Sequence, residues 1–307
     1  MRITACAIAI LVLACGPSPK RNNTGDDDVD ANPSIDSTTS TTGDGGAGCQ
    51  KIDVLFVIDN SGSMGEEQTN LTANFPGFIT VLDASGLDYR VAVTTTGRDY
   101  SYTMTTPLGQ LPMSQDGGDN GAMLKPAACN MTRRWIEKTD PDVAGTFSCL
   151  ATVGTGGPSD EMPLSAMRDA FEERMADTTN TGFHRSDALL GIVFLTDEED
   201  CSYESPVALP FAQSLCDAQM SPVADYVSFL DSYAGNRTRW ATAAIAGPGP
   251  GACTSSFGSA DEAARLKSFV TQTGANGVMS SICDGDLSIG LSQALALFQS
   301  ACGEIIL

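Results

Sequence analysis

The chain has 307 residues, with 38 acidic against 17 basic side chains, one histidine and a formal charge of −21. That balance repels phosphate backbones and anionic lipid headgroups, and His184 alone cannot build a His-rich zinc centre or more than one imidazole-dependent catalyst. Apolar residues at 42% and charged residues at 18% suit a chain with an ordinary globular core.

Met1 to Ala14 comes first, with one basic residue (Arg2) and an apolar run from Ile3 to Ala14. The run is too short for the roughly 20 residues that a bilayer requires and suits a signal peptide. Its end, Val12-Leu13-Ala14-Cys15-Gly16, resembles the lipobox of bacterial lipoproteins, cut before a cysteine that then carries the lipid. A plain secretory peptide cut nearby is the alternative. The resemblance implies a signal peptide over 1–14, lipidation at Cys15 and export to the cell envelope. Gly16, where Asp would retain a lipoprotein at the inner membrane, points by the same analogy to the outer membrane. Gly16 to Gly48 is Gly, Ser, Thr, Asp, Asn and Pro with only Val29 and Ile35 as large apolar side chains, so little offsets its ordering entropy. Residues 15–48 therefore read as a lipidated cysteine and a disordered tether, whose reach as a flexible coil is on the order of 30 Å.

Residues 49–307 read as one domain. Ile52–Ile58 is an apolar, β-branched run that suits a strand buried on both faces. Gly65–Asp83 has helical spacing, with Pro76 expected to kink or interrupt it. Tyr89–Thr95 predicts a strand, Thr96–Gly157 a loop-rich stretch, Glu161–Met175 a helix and Leu189–Thr196 another buried strand. Ala224–Tyr233 predicts a helix, Arg239–Ala246 a strand, Ala260–Thr271 a helix, Gly277–Ile282 an extended segment and Leu287–Ala301 a last helix. This alternation predicts an α/β fold, a doubly wound, mostly parallel sheet with helices on both faces. Ligands of such sheets bind beyond the carboxyl ends of the strands, here just after Ile58 and Thr196.

At the first of these places stands Asp59-Asn60-Ser61-Gly62-Ser63-Met64-Gly65. One carboxylate and two hydroxyls at alternate positions are hard oxygen donors that suit Mg²⁺, and a tight turn can aim all three at one point. The string misses the G-x-S-x-G spacing of a serine nucleophile, and it lacks the second Asp common where a strand-end Asp attacks phosphate. A helix N-cap by Ser61 or Ser63 is the plainer use, but it does not require Asp59. At the second place, Gly191-Ile192-Val193-Phe194-Leu195-Thr196-Asp197 ends in a Thr-Asp pair.

Together these two strings resemble the von Willebrand factor A domain and its metal-ion-dependent adhesion site, signature D-x-S-x-S, with a distal carboxylate after the fourth strand. VLFVIDNSGSM and LLGIVFLTDEEDCS also resemble a group of secreted bacterial lipoproteins of this fold. The resemblance implies a Rossmann-like fold carrying a long loop insertion, and a Mg²⁺ or Mn²⁺ held by Asp59, Ser61, Ser63 and Asp197. The family usually adds a Thr from a second loop; here counting back from Ala166-Met167 lands near Glu161, followed in order of preference by Thr155 and Ser159. A carboxylate at that place binds the cation more tightly and neutralises it further, leaving less pull on an acidic ligand.

Glu198-Glu199-Asp200 follows Asp197 and reads either as a solvated rim or as a site for a second cation such as Ca²⁺. Asp200 is expected to be fixed by a disulfide at Cys201. His184 is expected at the opposite end of the sheet in a structural or surface role, and Arg133-Arg134-Trp135 is expected to anchor the insertion. Setting aside Cys6 and Cys15 leaves eight of the ten cysteines, an even number that suits disulfides in an exported chain; free thiols or metal ligands are the alternative. The resemblance implies Cys49–Cys302, because this fold brings its termini together. Cys253–Cys283 would join neighbouring strand ends, and Cys129–Cys149 and Cys201–Cys216 would be local.

The function that follows is adhesion or interaction: a non-enzymatic envelope lipoprotein binding a protein or other macromolecule, which can offer a carboxylate to the metal. Nucleic acid is not an expected partner, and membrane contact is expected through the lipid only. A metal-dependent hydrolase, and a structural envelope protein with a vestigial site, are the alternatives.

Overall fold

A computed structural model describes residues 49–305 apart from 205, 206, 212, 215 and 217–219. The chain divides into two units, Met1–Gly43 and Asp44–Leu307, and the described residues belong to the second. The signal peptide, Cys15 and the tether therefore lie outside the described residues. Among those that are described, no helix is long and apolar enough to cross a membrane.

The fold is mixed α/β around a mostly parallel central sheet. Its six strands are β1 (Lys51–Ile58), β2 (Asp88–Thr95), β5 (Ile136–Glu137), β6 (Leu189–Leu195), β8 (Trp240–Ala246) and β11 (Gly277–Ser281), in the order β11-β8-β6-β1-β2-β5. All neighbours run parallel except the short edge strand β5. The apolar runs read from the sequence are the central strands: β6 and β8 are buried along their whole length. Residues of β1 alternate between two cores. Val54, Phe56 and Ile58 join side chains from α1 (Gly65–Ala84), α2 (Val143–Ala151) and α7 (Leu287–Gly303). Leu55 and Val57 join side chains from α3 (Pro163–Phe171), α5 (Val223–Ala234) and α6 (Ala264–Thr273).

Several boundaries differ from the sequence expectation. Pro76 does not end α1, which continues through it, and the proline itself lies on the exposed face. The expected loop over Thr96–Gly157 contains the hairpin β3 (Tyr100–Thr106) and β4 (Gly109–Gln115), the strand β5 and the helix α2. With β7 (Val207–Pro210) the hairpin forms a separate sheet of order β4-β3-β7. The helix expected at Glu161–Met175 begins only at Pro163 and breaks before a short α4 (Glu173–Ala176), leaving Glu161 in the loop. Ala260 ends the small hairpin β9 (Cys253–Ser255) and β10 (Gly258–Ala260), and α6 starts after it.

Four disulfides join Cys49–Cys302, Cys129–Cys149, Cys201–Cys216 and Cys253–Cys283. The first fastens the start of β1 to the end of α7. The other three tie down the insertion, the segment after β6 and the β9–β10 hairpin.

Candidate metal centre

Register places the site. Ile58 pairs with Thr95 on one side and Leu195 on the other, so Asp59, Thr96 and Thr196 emerge side by side at the carboxyl ends of β1, β2 and β6. Backbone bonds extend the ladder past the strands: the Asp59 amide donates to Leu195 O (2.9 Å) and the Thr96 amide to Ile58 O (3.1 Å).

Asp59 is fully buried and held at both carboxylate oxygens. The Ser61 amide donates to Oδ1 (2.7 Å) and the Thr196 hydroxyl to Oδ2 (2.5 Å). The turn brings the Ser61 and Ser63 hydroxyls within 3.1 Å of each other. Thr196 thus orients Asp59, and the next residue, Asp197, is the member of the pair left to face the site. Asp197 is buried, and its Oδ1 has no hydrogen-bond partner.

Among the three second-loop candidates, Glu161 is fully buried. The Thr96 hydroxyl donates to its Oε2, while Oε1 has no partner. Thr155 is exposed and lies near Gly65 at the start of α1. Ser159 is also exposed and bonds Gln115 of β4 (3.2 Å). Glu161 is therefore the candidate brought to the buried carboxylates.

These acids repel one another. Burial, with the Asp197 charge pushing the same way, raises Asp59 to about 6 against hydrogen bonds from Thr196 and Ser61. Burial and the Asp59 charge raise Glu161 to about 9 against the bond from Thr96. Glu198 is raised to about 7 by burial and by Asp59 and Asp197, and Asp197 is raised by burial against a bond from Ser63. Buried carboxylates that resist ionisation together, with orphaned oxygens, are a donor set that a divalent cation satisfies. The residues present fit Mg²⁺ or Mn²⁺. The one triple of His, Cys, Asp or Glu with ligand atoms within 4.8 Å of one another, among the described residues, is Asp160, Cys201 and Cys216. Its two sulfurs are consumed in a disulfide, so it offers no thiolate. Asp59, Glu161 and Asp197 do not form such a triple, so Mg²⁺, whose direct ligands lie about 2.1 Å away, would not touch all three where they stand and would reach at least one of them through a bound water.

The structure also supplies residues that pattern reasoning missed. Gln68 on α1 is buried and bonds Asp59 O (3.0 Å), Gly154 O (2.7 Å) and the Gly154 amide (3.2 Å), fastening the first loop to the second. The Gly157 amide donates to Asn60 O (2.9 Å), and a Cβ at Gly157 would collide with the Asn60 amide, so a glycine is required where the loops touch. Gln68 and Thr96 carried no motif: Thr96 was a polar residue just past a strand end, and Gln68 a polar residue at the start of a helix.

The remaining expectations resolve residue by residue. Glu199 is no solvated rim: its carboxylate accepts from the Ala264 (2.9 Å) and Arg265 (3.0 Å) amides at the start of α6. Asp200 is fixed by Arg265 (2.9 Å) and Ser202 (2.5 Å) rather than by the neighbouring disulfide. His184 lies in the segment leading into β6, with Arg185 beside it paired to Asp53 of β1 (2.7 Å); burial lowers His184 to about 4. In the insertion, Arg133 holds Asp140 (2.7 Å), Trp135 donates to Glu137 (3.0 Å) and the Arg90 guanidinium covers the Trp135 ring, an anchoring arrangement.

No family model and no curated protein matches this chain. Similar solved structures include two of proximal thread matrix protein 1 from the mussel byssus. One is 11% identical over 82% of this chain and 49% of that one, with a TM-score of 0.41. The other is 13% identical over 83% and 47%, with a TM-score of 0.40. The chain spans about half the length of those proteins, and likeness at this level says nothing of what it does.

Proposed function

We propose that the described domain is a von Willebrand factor A-like, doubly wound module that binds a macromolecular ligand through Mg²⁺ or Mn²⁺. Asp59, Ser61, Ser63 and Asp197 hold the cation, with Glu161 from the second loop. The observation that carries this reading is the meeting of Asp59, the Ser61–Ser63 hydroxyl pair, Glu161 and Asp197 at the carboxyl ends of three adjacent parallel strands. There, orphaned oxygens of Asp197 and Glu161 are buried without a counter-charge. The strand order supports the doubly wound reading, because it reverses between β1 and β6, where ligands of such sheets bind.

When bound, the cation supplies an electrophilic point to which a partner's carboxylate can attach. The chain's own residues do the positioning. Thr196 and the Ser61 amide orient Asp59, Thr96 orients Glu161, and Gln68 keeps the two loops in register. Arg98, two residues past Thr96, and Arg265, which meets the third loop, are committed to Asp169 (2.6 Å) and Asp200 (2.9 Å). Neither is left to clamp a phosphoryl group, which favours binding over hydrolysis. In the exported, lipid-anchored setting read from Cys15, the site would work at the cell surface or within the envelope.

The test is capture of partners from envelope fractions on immobilised protein with Mg²⁺ or with chelator. Partners retained only with Mg²⁺, and lost from an Asp59→Ala column, are expected; metal-independent retention of the same partners on both columns would refute the reading.

A further inference from the structure

The small sheet β4-β3-β7 supplies no donor to the metal, yet its stem is fastened beside it. The Tyr100 hydroxyl donates to Asp160 (2.5 Å) and the Ser159 hydroxyl to Gln115 (3.2 Å), in the loop that ends at Glu161. Tyr102 pairs with Met113, and Met104 with both Leu111 and Leu209, so these apolar side chains share one face of the sheet. Tyr100 and Leu209 are buried in a core beneath it. Toward the turn the cover ends: Leu108 is 100% exposed, Phe211 64% and Leu111 51%. Three of the six exposed large apolar side chains among the described residues thus meet here, and with Pro107 they line an open cleft of about 440 Å³. From Tyr100 to Thr106 the strand runs about 20 Å, so one partner of ordinary interface size covers both the metal and the cleft.

Composition narrows the occupant. The chain carries 38 acids, but residues 100–115 and 207–211 contain no Asp, Glu, Lys or Arg. An uncharged apolar patch on so acidic a protein marks a contact surface. It offers no basic side chain to lipid headgroups, and a charge of −21 opposes pairing with a second copy. Pro112 in the edge strand β4 and Pro210 in the edge strand β7 lack backbone donors, so neither edge is a good template for an added strand. Side chains docking in the cleft are the remaining mode. We propose that the cleft of Pro107, Leu108, Leu111 and Phe211 receives apolar side chains of the same protein partner that gives the cation its carboxylate. This rests on the metal-dependent reading for the acid and adds the apolar anchor.

The probe is a random peptide library displayed on phage and panned on the full oxidised chain in Mg²⁺; peptides of about 12 residues span both points when extended. Selected peptides are expected to combine Asp or Glu with large apolar residues. They should lose roughly tenfold or more in affinity on Asp59→Ala and, independently, on the double variant Leu108→Ser, Phe211→Ser. Both replaced side chains are exposed, so the double variant should fold and bind Mg²⁺ as wild type does. Peptides that need Asp59 but bind the double variant unchanged overturn the cleft and leave the metal reading standing. Peptides that need the cleft but ignore Asp59→Ala and chelator overturn the shared partner, and the metal-dependent reading with it. Selection of no peptide overturns the proposal. So does a wild-type dimer in sedimentation, or flotation of the unlipidated chain with phosphatidylglycerol–phosphatidylethanolamine vesicles, if the double variant abolishes it.

Discussion

Asp59 and Asp53 stand six positions apart on or beside one strand, both buried, and they solve the same electrostatic problem differently. Asp53 has its own counter-charge: Arg185 meets it with two nitrogens, at 3.0 and 2.7 Å, and its backbone amide donates as well (2.6 Å). Asp59 has only neutral donors and other acids nearby. Removing Arg185 therefore strands a buried charge, and Arg185→Ala should cost about 3–5 kcal/mol of stability in denaturant unfolding while leaving cation affinity unchanged. The acids of the metal site give the opposite pH signature. Asp59, Glu161 and Glu198 are raised in the folded, cation-free protein, so the native state holds protons that the unfolded chain has released. Their contribution is complete below the ordinary carboxylate range and is lost as pH rises through about 6 to about 9. Melting in chelator should therefore fall over that interval more steeply for wild type than for Asp59→Asn, Glu161→Gln. Added Mg²⁺, which needs the ionised forms, should restore more stability at the alkaline end. Equal slopes for the two proteins would disprove this assignment of the raised groups.

At the scale of elements, visibility in the sequence followed burial. Strands β1, β6 and β8 lie between two helical layers, and burial on both faces writes an uninterrupted apolar run. The hairpin β3–β4 is mostly half-buried or exposed, so its Ser, Thr, Tyr and Gln side chains gave no alternation against the surrounding polar sequence. Helix α2 is only nine residues long, too short for its period to stand out, although Phe147 stacks on Phe75 in the core. Asp59, Ser61, Ser63 and Asp197 were legible because strand ends fix where chemistry can sit. Gln68 was not, because a polar residue on the first turn of a helix reads as solvated until the neighbouring loops are placed over it. Gln68 is the element-scale joint of the site, and Gln68→Leu should weaken Mg²⁺ binding by roughly tenfold or more, in the manner of residues that orient metal ligands, with the fold retained by circular dichroism. Pro76 tests the helix itself. It occupies an exposed turn of a continuous α1 and denies it one backbone bond, so Pro76→Ala should stabilise the domain by about 1–2 kcal/mol, helix propensity outweighing the lost rigidity of the unfolded chain.

For the whole molecule, the Cys49–Cys302 disulfide closes a loop with a sequence separation of 253. On chain-entropy grounds, its loss in a Cys49→Ser, Cys302→Ser variant should cost roughly 5 kcal/mol, measured by denaturant unfolding beside the oxidised parent. The other three disulfides brace loops and a hairpin near the strand ends, which suits a site that must hold its shape without a large rearrangement on binding. The central claim is that a divalent cation completes the cluster at the ends of β1, β2 and β6. Calorimetric titration of Mg²⁺ into the oxidised protein, beside Asp59→Ala, tests it most directly. Saturable binding that is abolished by the substitution is the predicted result; identical heats from both folded proteins, or none from either, would contradict it.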